Sequence, residues 1–215
     1  MSGETPIVNV VETFVSIQGE STWAGLPCFF IRLGGCNLRC VYCDTPAARV
    51  PGRATRIEDL VAQAVSARAP ICEITGGEPL LQDGFGALAK ALCERTRRPV
   101  LVETNGSLDL SAVPERAIAI MDVKCPGSGA ADGNDWSNIA RMRPHDEVKF
   151  VLCDEADYAW AAAQVRDRGI ADRCRAVHFS PVHGLMDPSV LGGWIVRDRL
   201  PVRLHLQLHK IAGMV

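Results

Sequence analysis

The chain has no marked excess of either charge, no long apolar segment and no internal repeat. Its 23 Lys and Arg residues nearly balance 25 Asp and Glu residues, for a formal net charge of −2. A nucleic-acid-binding surface needs a concentration of basic residues, so we expect no direct nucleic-acid partner. No segment approaches the roughly 20 apolar residues of a membrane span, and the first residues do not resemble a signal peptide. We therefore expect a cytoplasmic protein that does not contact a membrane.

Cysteine is abundant by contrast, with nine residues in a chain of 215. An odd number of thiols in a reducing compartment is not typical of a disulfide framework and indicates metal binding or catalysis. Three of them, Cys36, Cys40 and Cys43, share the polar stretch GGCNLRCVYCDT. Cys125 lacks that spacing and is not predicted to be a cluster ligand. The remaining cysteines are expected to be small core hydrophobes, namely Cys28, Cys72, Cys93, Cys153 and Cys174.

Apolar runs alternate with helical periods along the chain, which predicts a single α/β domain over residues 1–215. The predicted strands are a first one over 7–16, followed by CFFIRL, ICEIT, VLVE, AIAIMDV, EVKFVL and AVHFS. About six parallel strands with reduced helices are too few for eight full repeats, so we predict a partial, open parallel β/α barrel. Residues 127–146 are predicted to be a loop insertion.

The helices and the last strand are predicted from local signals. Thr55 and Glu58 form a capping-box signature, and Asp154 is a candidate helix cap before a helix that stops at Gly169. The predicted buried faces comprise Ile57, Leu60, Val61, Ala64 and Val65, then Phe85, Leu88, Ala89 and Leu92, then Tyr158, Ala161, Ala162 and Val165. In VRLHLQLHK, apolar and polar residues alternate, which predicts a terminal strand with one polar face. An edge strand in water explains Arg203 and His205 at least as well as a functional role does.

Five polar loops follow predicted strands and are expected to meet, because sites in parallel α/β sheets form at the carboxyl ends of strands. They are GGCNLRCVYCDT, TGGEP, ETNG, DVKCPGS and SPVHG. The three clustered cysteines in the first loop could serve zinc, but a structural zinc site wants a fourth ligand and none stands nearby. An iron–sulfur cluster fits better, because loop-borne cysteines bind such clusters and three ligands leave one iron open.

The spacing CxxxCxxC after the first barrel strand, with Tyr42 between the last two cysteines, together with TGGEP, resembles the radical S-adenosylmethionine (SAM) superfamily. The resemblance implies a radical SAM fold and a [4Fe–4S] cluster on Cys36, Cys40 and Cys43. It also implies that SAM chelates the open iron and is cleaved to a 5′-deoxyadenosyl radical. The SAM contacts that it implies are Tyr42, Gly76, Gly77, Glu78, Asn105, Lys124, Cys125, Pro126, Ser180, Pro181, Val182 and His183.

A narrower resemblance covers almost the whole chain. SIQGE, FIRLGGCNLRCVYCDT, ITGGEPLLQ, DVKCPGSG, FSPVHG and LQLHK are similar to the 7-carboxy-7-deazaguanine synthase family. That family converts 6-carboxy-5,6,7,8-tetrahydropterin to 7-carboxy-7-deazaguanine with loss of ammonia, in the queuosine and deazapurine pathway, and uses Mg²⁺. The resemblance assigns Mg²⁺ to Thr45, with Asp44 as a weaker candidate, and implies a homodimer and a flavodoxin- or ferredoxin-type electron donor. The substrate contacts that it implies are Ile17, Gln18, Gly19, Glu20, Arg32, Thr75, Gln207, His209 and Val215.

Some of these residues also have an ordinary structural explanation. Arg32 interrupts an apolar strand and needs an anion, which could be the substrate carboxylate or an internal partner such as Glu73 or Glu103. Gln18 and Glu20 could sit in a solvated turn. Two other functions stay open on the sequence: a radical SAM activase that acts on a partner protein, and a non-catalytic zinc-binding module.

Overall fold

A computed structural model describes residues 6–214, in which nine strands form one continuous sheet. The strands are β1 (Ile7–Ile17), β2 (Pro27–Leu33), β3 (Arg53–Arg56), β4 (Ile71–Gly76), β5 (Val100–Thr104), β6 (Ile118–Lys124), β7 (Glu147–Leu152), β8 (Ala176–Pro181) and β9 (Arg203–Leu204). The helices are α1 (Ile57–Ala67), α2 (Phe85–Thr96), α3 (Glu155–Asp167), α4 (Pro188–Asp198) and α5 (Leu208–Ile211). None of these helices has the length and apolar character that crossing a membrane requires.

The sheet is an open, mostly parallel barrel, as predicted. Its order is β3-β1-β2-β4-β5-β6-β7-β8-β9, so β3 and β9 are free edges and the barrel does not close. Six strands, β2 and β4 to β8, run parallel to their neighbours, and the short β9 extends that set. Strands β1 and β3 add an antiparallel extension beside β2. The prediction of about six strands therefore describes the parallel centre; the first predicted strand, over 7–16, is β1, whereas β3 was not predicted.

The first helix is buried along the predicted stripe, with two local corrections. Ile57, Leu60, Val61 and Ala64 are buried, as the 3.6-residue period predicts. Val65 is 46% exposed, so its placement on the buried face was wrong. The capping box is also wrong. Thr55 is part of the edge strand β3, and its hydroxyl donates to the Arg53 carbonyl. It therefore does not cap α1.

The later helices and the insertion follow the sequence prediction. The Asp154 carboxylate accepts a hydrogen bond from Asp157 N at the start of α3, which ends before Gly169. The predicted faces of α2 and α3 are buried. Residues 127–146 contain no α-helix or strand, only short 3₁₀ turns. Among the cysteines predicted to be core residues, Cys28, Cys72 and Cys93 are buried, whereas Cys153 and Cys174 are only partly buried.

The prediction of a long terminal strand is wrong. Only Arg203–Leu204 pair with β8, after which the chain turns into α5. The alternation is opposite to that expected, because Leu204 and Leu206 are exposed while His205 is buried. His205 finds a partner inside, since its Nε2 accepts from Ser21 N at 3.0 Å. The solvated reading of His205 is therefore wrong, whereas Arg203 is exposed as that reading expects.

Replacing Asp146 with Ala should lower the free energy of unfolding by about 3 kcal/mol, because a buried ion pair would lose one partner. The Asp146 carboxylate, 2% exposed, accepts from Ala119 N, Arg143 N and the Arg143 guanidinium at 2.7–2.9 Å. Glu115→Ala is the matched control, since Glu115 lies 3.9 Å from the same guanidinium but is 84% exposed. Denaturant unfolding should show a change of less than about 0.5 kcal/mol for the control; equal losses in both variants would contradict this assignment.

Candidate active site

The five predicted loops meet at one cavity of about 570 Å³ at the carboxyl ends of the parallel strands. Each loop contributes to its wall, as expected from the strand-end rule. The amino-terminal segment after β1 and the carboxyl-terminal segment around α5 complete the wall.

Most of the predicted site residues line this cavity. From the cofactor set these are Cys36, Cys40, Tyr42, Cys43, Thr45, Gly76, Gly77, Asn105, Lys124, Val182 and His183. From the substrate set they are Ile17, Gln18, Gly19, Glu20, Arg32, Thr75, Gln207 and His209. Five predicted SAM contacts are not among the lining residues, namely Glu78, Cys125, Pro126, Ser180 and Pro181. Val215 lies outside the described residues.

The cysteine loop brings the three predicted cluster ligands to the cavity. Cys36, Cys40 and Cys43 are free thiols on one loop, and all three line the cavity. A Cβ at Gly77 would lie 2.2 Å from the Gly35 carbonyl oxygen and 2.7 Å from the Cys36 Cβ, so only glycine allows the two loops to pack this closely. Burial raises the pKa of the Cys40 thiol, so a bound metal would be needed to hold it as a thiolate. In the described residues 6–214 the three thiols are not gathered into a metal-binding group, so only their residue type and their common loop at the cavity match the predicted cluster.

Glu78 of the TGGEP loop supports the site from behind. Its carboxylate is fully buried and accepts from Asn105 N at 2.6 Å, Leu80 N at 3.0 Å and the Thr104 hydroxyl at 2.9 Å. Burial raises its pKa in spite of these bonds. The side chain thus joins the TGGEP loop to the ETNG loop. This contact holds Asn105 where its Nδ2 lies 4.0 Å from the Cys36 sulfur.

Two side chains fix the cysteine loop and the end of β6 beside the cavity. The Tyr42 hydroxyl donates to the Val151 carbonyl at 3.1 Å, and burial raises its pKa. The Lys124 ammonium lies 2.9 Å from Asp122. Burial alone would lower the pKa of Lys124, but the charge and hydrogen bond of Asp122 together with the neighbouring Cys40 raise it. Lys124 is therefore a cation held at the cavity wall.

A buried ammonium stands at the floor of the cavity. Lys149, 5% exposed, pairs with both Glu20 and Glu103 and lies 3.7 Å from Asp122. Burial alone would lower the pKa of Lys149, but the three carboxylates raise it well above its usual value. Burial alone would likewise raise the pKa of Glu20, yet Lys149 lowers it to about 2. Both groups are charged at neutral pH, so the floor presents fixed charges to a ligand.

Gln18 joins this floor through a second buried carboxylate. Its Nε2 donates to Glu73, which is 2% exposed. Burial, with the neighbouring charges of Glu103 and Glu20, raises the pKa of Glu73 well above its ordinary value. Glu73 is therefore protonated over a wider pH range than Glu20, so the two carboxyls offer a ligand different hydrogen bonds.

Arg32 has a partner that the sequence reading did not name. Its Nε lies 2.8 Å from a carboxylate oxygen of Glu12, the residue directly opposite on β1. The ion-pair partner is therefore neither Glu73 nor Glu103. The guanidinium carbon lies 5.6 Å from the centre of the Phe14 ring. Within residues 6–214, Nη1 and Nη2 make no hydrogen bond. Arg32 lines the cavity, and its two terminal nitrogens are available as donors.

The carboxyl-terminal segment closes the side of the cavity. Leu208 N donates to the Gly19 carbonyl at 2.8 Å, and Gln207 Nε2 donates to Glu20 at 2.7 Å. A Cβ at Gly19 would lie 1.8 Å from Nδ1 of His209, so glycine is required for this approach. Gln207 and His209 thus reach the cavity as predicted, but from a turn and a short helix instead of a strand.

Thr45 lies at the cavity wall, where its hydroxyl bonds to Asp44 at 3.1 Å. In residues 6–214, no group of three His, Cys, Asp or Glu side chains could hold a metal ion. An ion at Thr45 would accordingly take most of its ligands from substrate and water, as Mg²⁺ commonly does.

Four charged residues of the floor were missed as site residues: Glu73, Glu103, Asp122 and Lys149. Each interrupts an apolar strand, in ICEIT, VLVE, IMDV and EVKFVL. The argument applied to Arg32, that a charge in a buried strand needs a partner, would have found all four.

Comparison with known proteins agrees with this geometry. The family model of the radical SAM superfamily matches residues 30–126. A 7-carboxy-7-deazaguanine synthase of Chlorobaculum tepidum is 46% identical over 213 residues, which cover 98% of this chain and 96% of that protein. The enzyme of the same name from Koribacter versatilis is 39% identical and covers 94% and 96%.

The fold also matches a solved structure. The crystal structure of QueE from Escherichia coli superposes with a TM-score of 0.74 at 22% identity, and the match covers 94% of this chain and 95% of that one. The chain belongs to the 7-carboxy-7-deazaguanine synthase family of radical SAM enzymes.

Proposed function

We propose that this enzyme converts 6-carboxy-5,6,7,8-tetrahydropterin to 7-carboxy-7-deazaguanine with loss of ammonia, in queuosine and 7-deazapurine biosynthesis. The relatives that cover nearly the whole chain are named for the product, 7-carboxy-7-deazaguanine. The single observation that carries the proposal is the juxtaposition, in one cavity, of the three free cysteines with a floor of opposed fixed charges. A cluster loop alone would serve any radical SAM reaction, whereas the charged floor requires a small polar substrate.

The cofactors are a [4Fe–4S] cluster on Cys36, Cys40 and Cys43, and SAM. When bound, they supply the radical that removes a hydrogen atom from C6 of the substrate. The loops that carry Gly77 and Asn105 pack against the cysteine loop, which supports their proposed place beside SAM. Glu78, a predicted SAM contact that does not line the cavity, holds the TGGEP and ETNG loops together.

The substrate's polar edges match the side chains of the floor. The Glu20 carboxylate, ionised beside Lys149, is suited to accept from the amino-pyrimidinone edge of a pterin. The two free donors of Arg32 suit a bidentate grip on the substrate carboxylate. Thr75, whose hydroxyl bonds to Glu103 at 3.3 Å, and Ile17 complete the proposed contacts on this side. Val215, which lies outside the described residues, is a proposed substrate contact on the family resemblance alone.

Further parts of the proposal rest mainly on the family resemblance. Mg²⁺ binds at Thr45, which offers one hard oxygen beside the cavity. A flavodoxin- or ferredoxin-type protein supplies the electron. The enzyme is a homodimer, as the family resemblance implies. The nine free cysteines suit a reducing cytoplasm.

Turnover of the pterin is the direct test. Anaerobically reconstituted enzyme, supplied with 6-carboxy-5,6,7,8-tetrahydropterin, SAM, Mg²⁺ and a reductant, should release ammonia and 7-carboxy-7-deazaguanine in equal amounts. Omitting Mg²⁺ should lower the rate, because the proposed metal orients the substrate. Cleavage of SAM without ammonia or deazaguanine would contradict the synthase and favour the activase reading.

Replacing Cys40 with Ala should remove the cluster and with it all SAM cleavage, because two thiolates remain for a site that needs three. Iron and sulfide analysis and 5′-deoxyadenosine formation measure the two losses. Cys93→Ala is the matched control, since Cys93 is buried in α2 away from the cavity. That control should keep its iron; retained 5′-deoxyadenosine formation in the Cys40 variant would refute the ligand role.

Replacing Arg32 with Lys should weaken pterin binding by about 10-fold or more and leave the cluster intact, because an ammonium cannot make the planar two-point contact. Equilibrium titration of the reconstituted enzyme with pterin, in the absence of reductant, measures the loss. Arg53→Lys, on the exposed edge strand β3, is the control and should bind as the wild type does. Unchanged pterin affinity in the Arg32 variant would reject its assignment to the substrate carboxylate.

A further inference from the structure

A second buried cluster of ionisable side chains lies outside the cavity. It consists of Glu147 at the start of β7, His178 in β8 and His205 after β9, and none of the three lines the cavity. Glu147 and His178 are 0% and 1% exposed, and they are joined by a 2.7 Å contact between the carboxylate and Nε2. The rings of His178 and His205 lie 4.9 Å apart between centroids. The activity proposed above uses none of these residues.

The cluster is directed at the loop that carries Glu20. The Glu147 carboxylate accepts from Thr22 N at 2.9 Å and from the Thr22 hydroxyl, in addition to His178. Burial alone would raise the pKa of Glu147, but the bonds from His178 and Thr22 lower it. Glu147 is therefore an anion whose oxygens are used entirely to hold Thr22 and His178.

The same loop contains a strained residue that His205 holds. Ser21 has a φ of +66°, a conformation that L-residues other than Asn, Asp and Gly rarely adopt. Its N–H donates to Nε2 of His205 at 3.0 Å, which requires that nitrogen to carry no proton. Burial lowers the pKa of His205 to about 4, so the ring is neutral and can accept this bond. Strain of this kind persists only where surrounding contacts fix the backbone.

The spacing along β7 relates this cluster to the substrate. Glu147 and Lys149 are two residues apart, so their side chains leave the same face of the strand. Lys149 pairs with the Glu20 carboxylate, and Glu147 accepts from Thr22. Glu20 and Thr22 are likewise two residues apart. One strand therefore fixes the loop at two points, on either side of the strained Ser21.

We propose that Glu147, together with His178 and His205, is a positioning group that fixes the 20–22 loop so that Glu20 is presented to the substrate in one orientation. The inference rests on the proposed function, because it assigns Glu20 to pterin binding. Glu147 itself contacts no substrate. Its contribution is to substrate affinity and not to the cluster or to SAM.

Thr22 allows a mild test. Thr22→Val keeps the branched shape and the backbone N–H but removes the hydroxyl that donates to Glu147, whereas Thr22→Ser keeps it. In reconstituted enzyme with SAM and without reductant, titration calorimetry should give a pterin Kd about 5-fold higher for Thr22→Val and near wild type for Thr22→Ser. Amide hydrogen exchange over residues 18–22 should be faster in the Val variant alone. Iron content and SAM affinity should be the same in all three proteins.

A double-mutant cycle separates positioning from simple stabilisation. In a Glu20→Gln background, Thr22→Val should add little further loss of pterin affinity, because the group being positioned is already altered. Equal pterin Kd values for wild type and Thr22→Val, or full additivity with Glu20→Gln, would overturn the inference. A wild-type enzyme that does not bind pterin would instead refute the proposed function, and the positioning role would fall with it.

Discussion

The buried Lys149 ammonium is the interaction on which the site depends. It lies among carboxylates from three other parts of the chain, Glu20 after β1, Glu103 in β5 and Asp122 in β6. Removing an ammonium and several carboxylates from water is unfavourable unless they pair, and breaking such a pair leaves an uncompensated charge. Removing any one of these groups would therefore leave the others with unbalanced buried charge. Because the carboxylates outnumber the ammonium, the floor also retains acceptors with which a polar ligand can bond.

The inner face of the sheet changes character along each strand. Near the amino ends, a small apolar cluster of Phe30, Ile71, Leu101 and Ile120 fills the barrel. The residue two positions later in each strand lies on the same face and is charged. These residues are, in the same order, Arg32, Glu73, Glu103 and Asp122. The period of two thus builds a dry base and a charged floor from the same four strands. Strand β7 departs from this pattern, since Glu147 occupies the position where the others have an apolar side chain. Its pairing with His178 and Thr22 explains how a carboxylate is accommodated there.

Local patterns were enough to predict the parallel strands, two of the helical faces and the convergence of five loops. Each of these depends on periodicity within a segment or on the direction of parallel strands. The failures have a different origin. Thr55 does not cap α1 because β3 pairs with β1 there. The terminal segment leaves β8 after His205 and bonds instead to the segment after β1, where His205 Nε2 accepts from Ser21 N, 184 residues away in sequence, and Leu208 N donates to the Gly19 carbonyl. The partner of Arg32 was missed for the same reason, since the β1–β2 register places Glu12 opposite it. Contacts between distant segments decided these details, and no local signal contains them.

The carboxyl-terminal helix connects the cofactor and substrate sides of the cavity. The Lys210 ammonium lies 2.7 Å from Asp44 on the cysteine loop and 2.7 Å from the Gln207 side-chain oxygen. Gln207 in turn donates to Glu20, which pairs with Lys149 on the floor. A continuous series of polar contacts therefore runs from the loop that carries the cysteines to the centre of the sheet. A displacement of α5 would alter both ends of that series. The floor is thus fixed relative to the cysteine loop, and the proposed reaction, in which a radical and a substrate must meet in this cavity, would depend on that fixed relation.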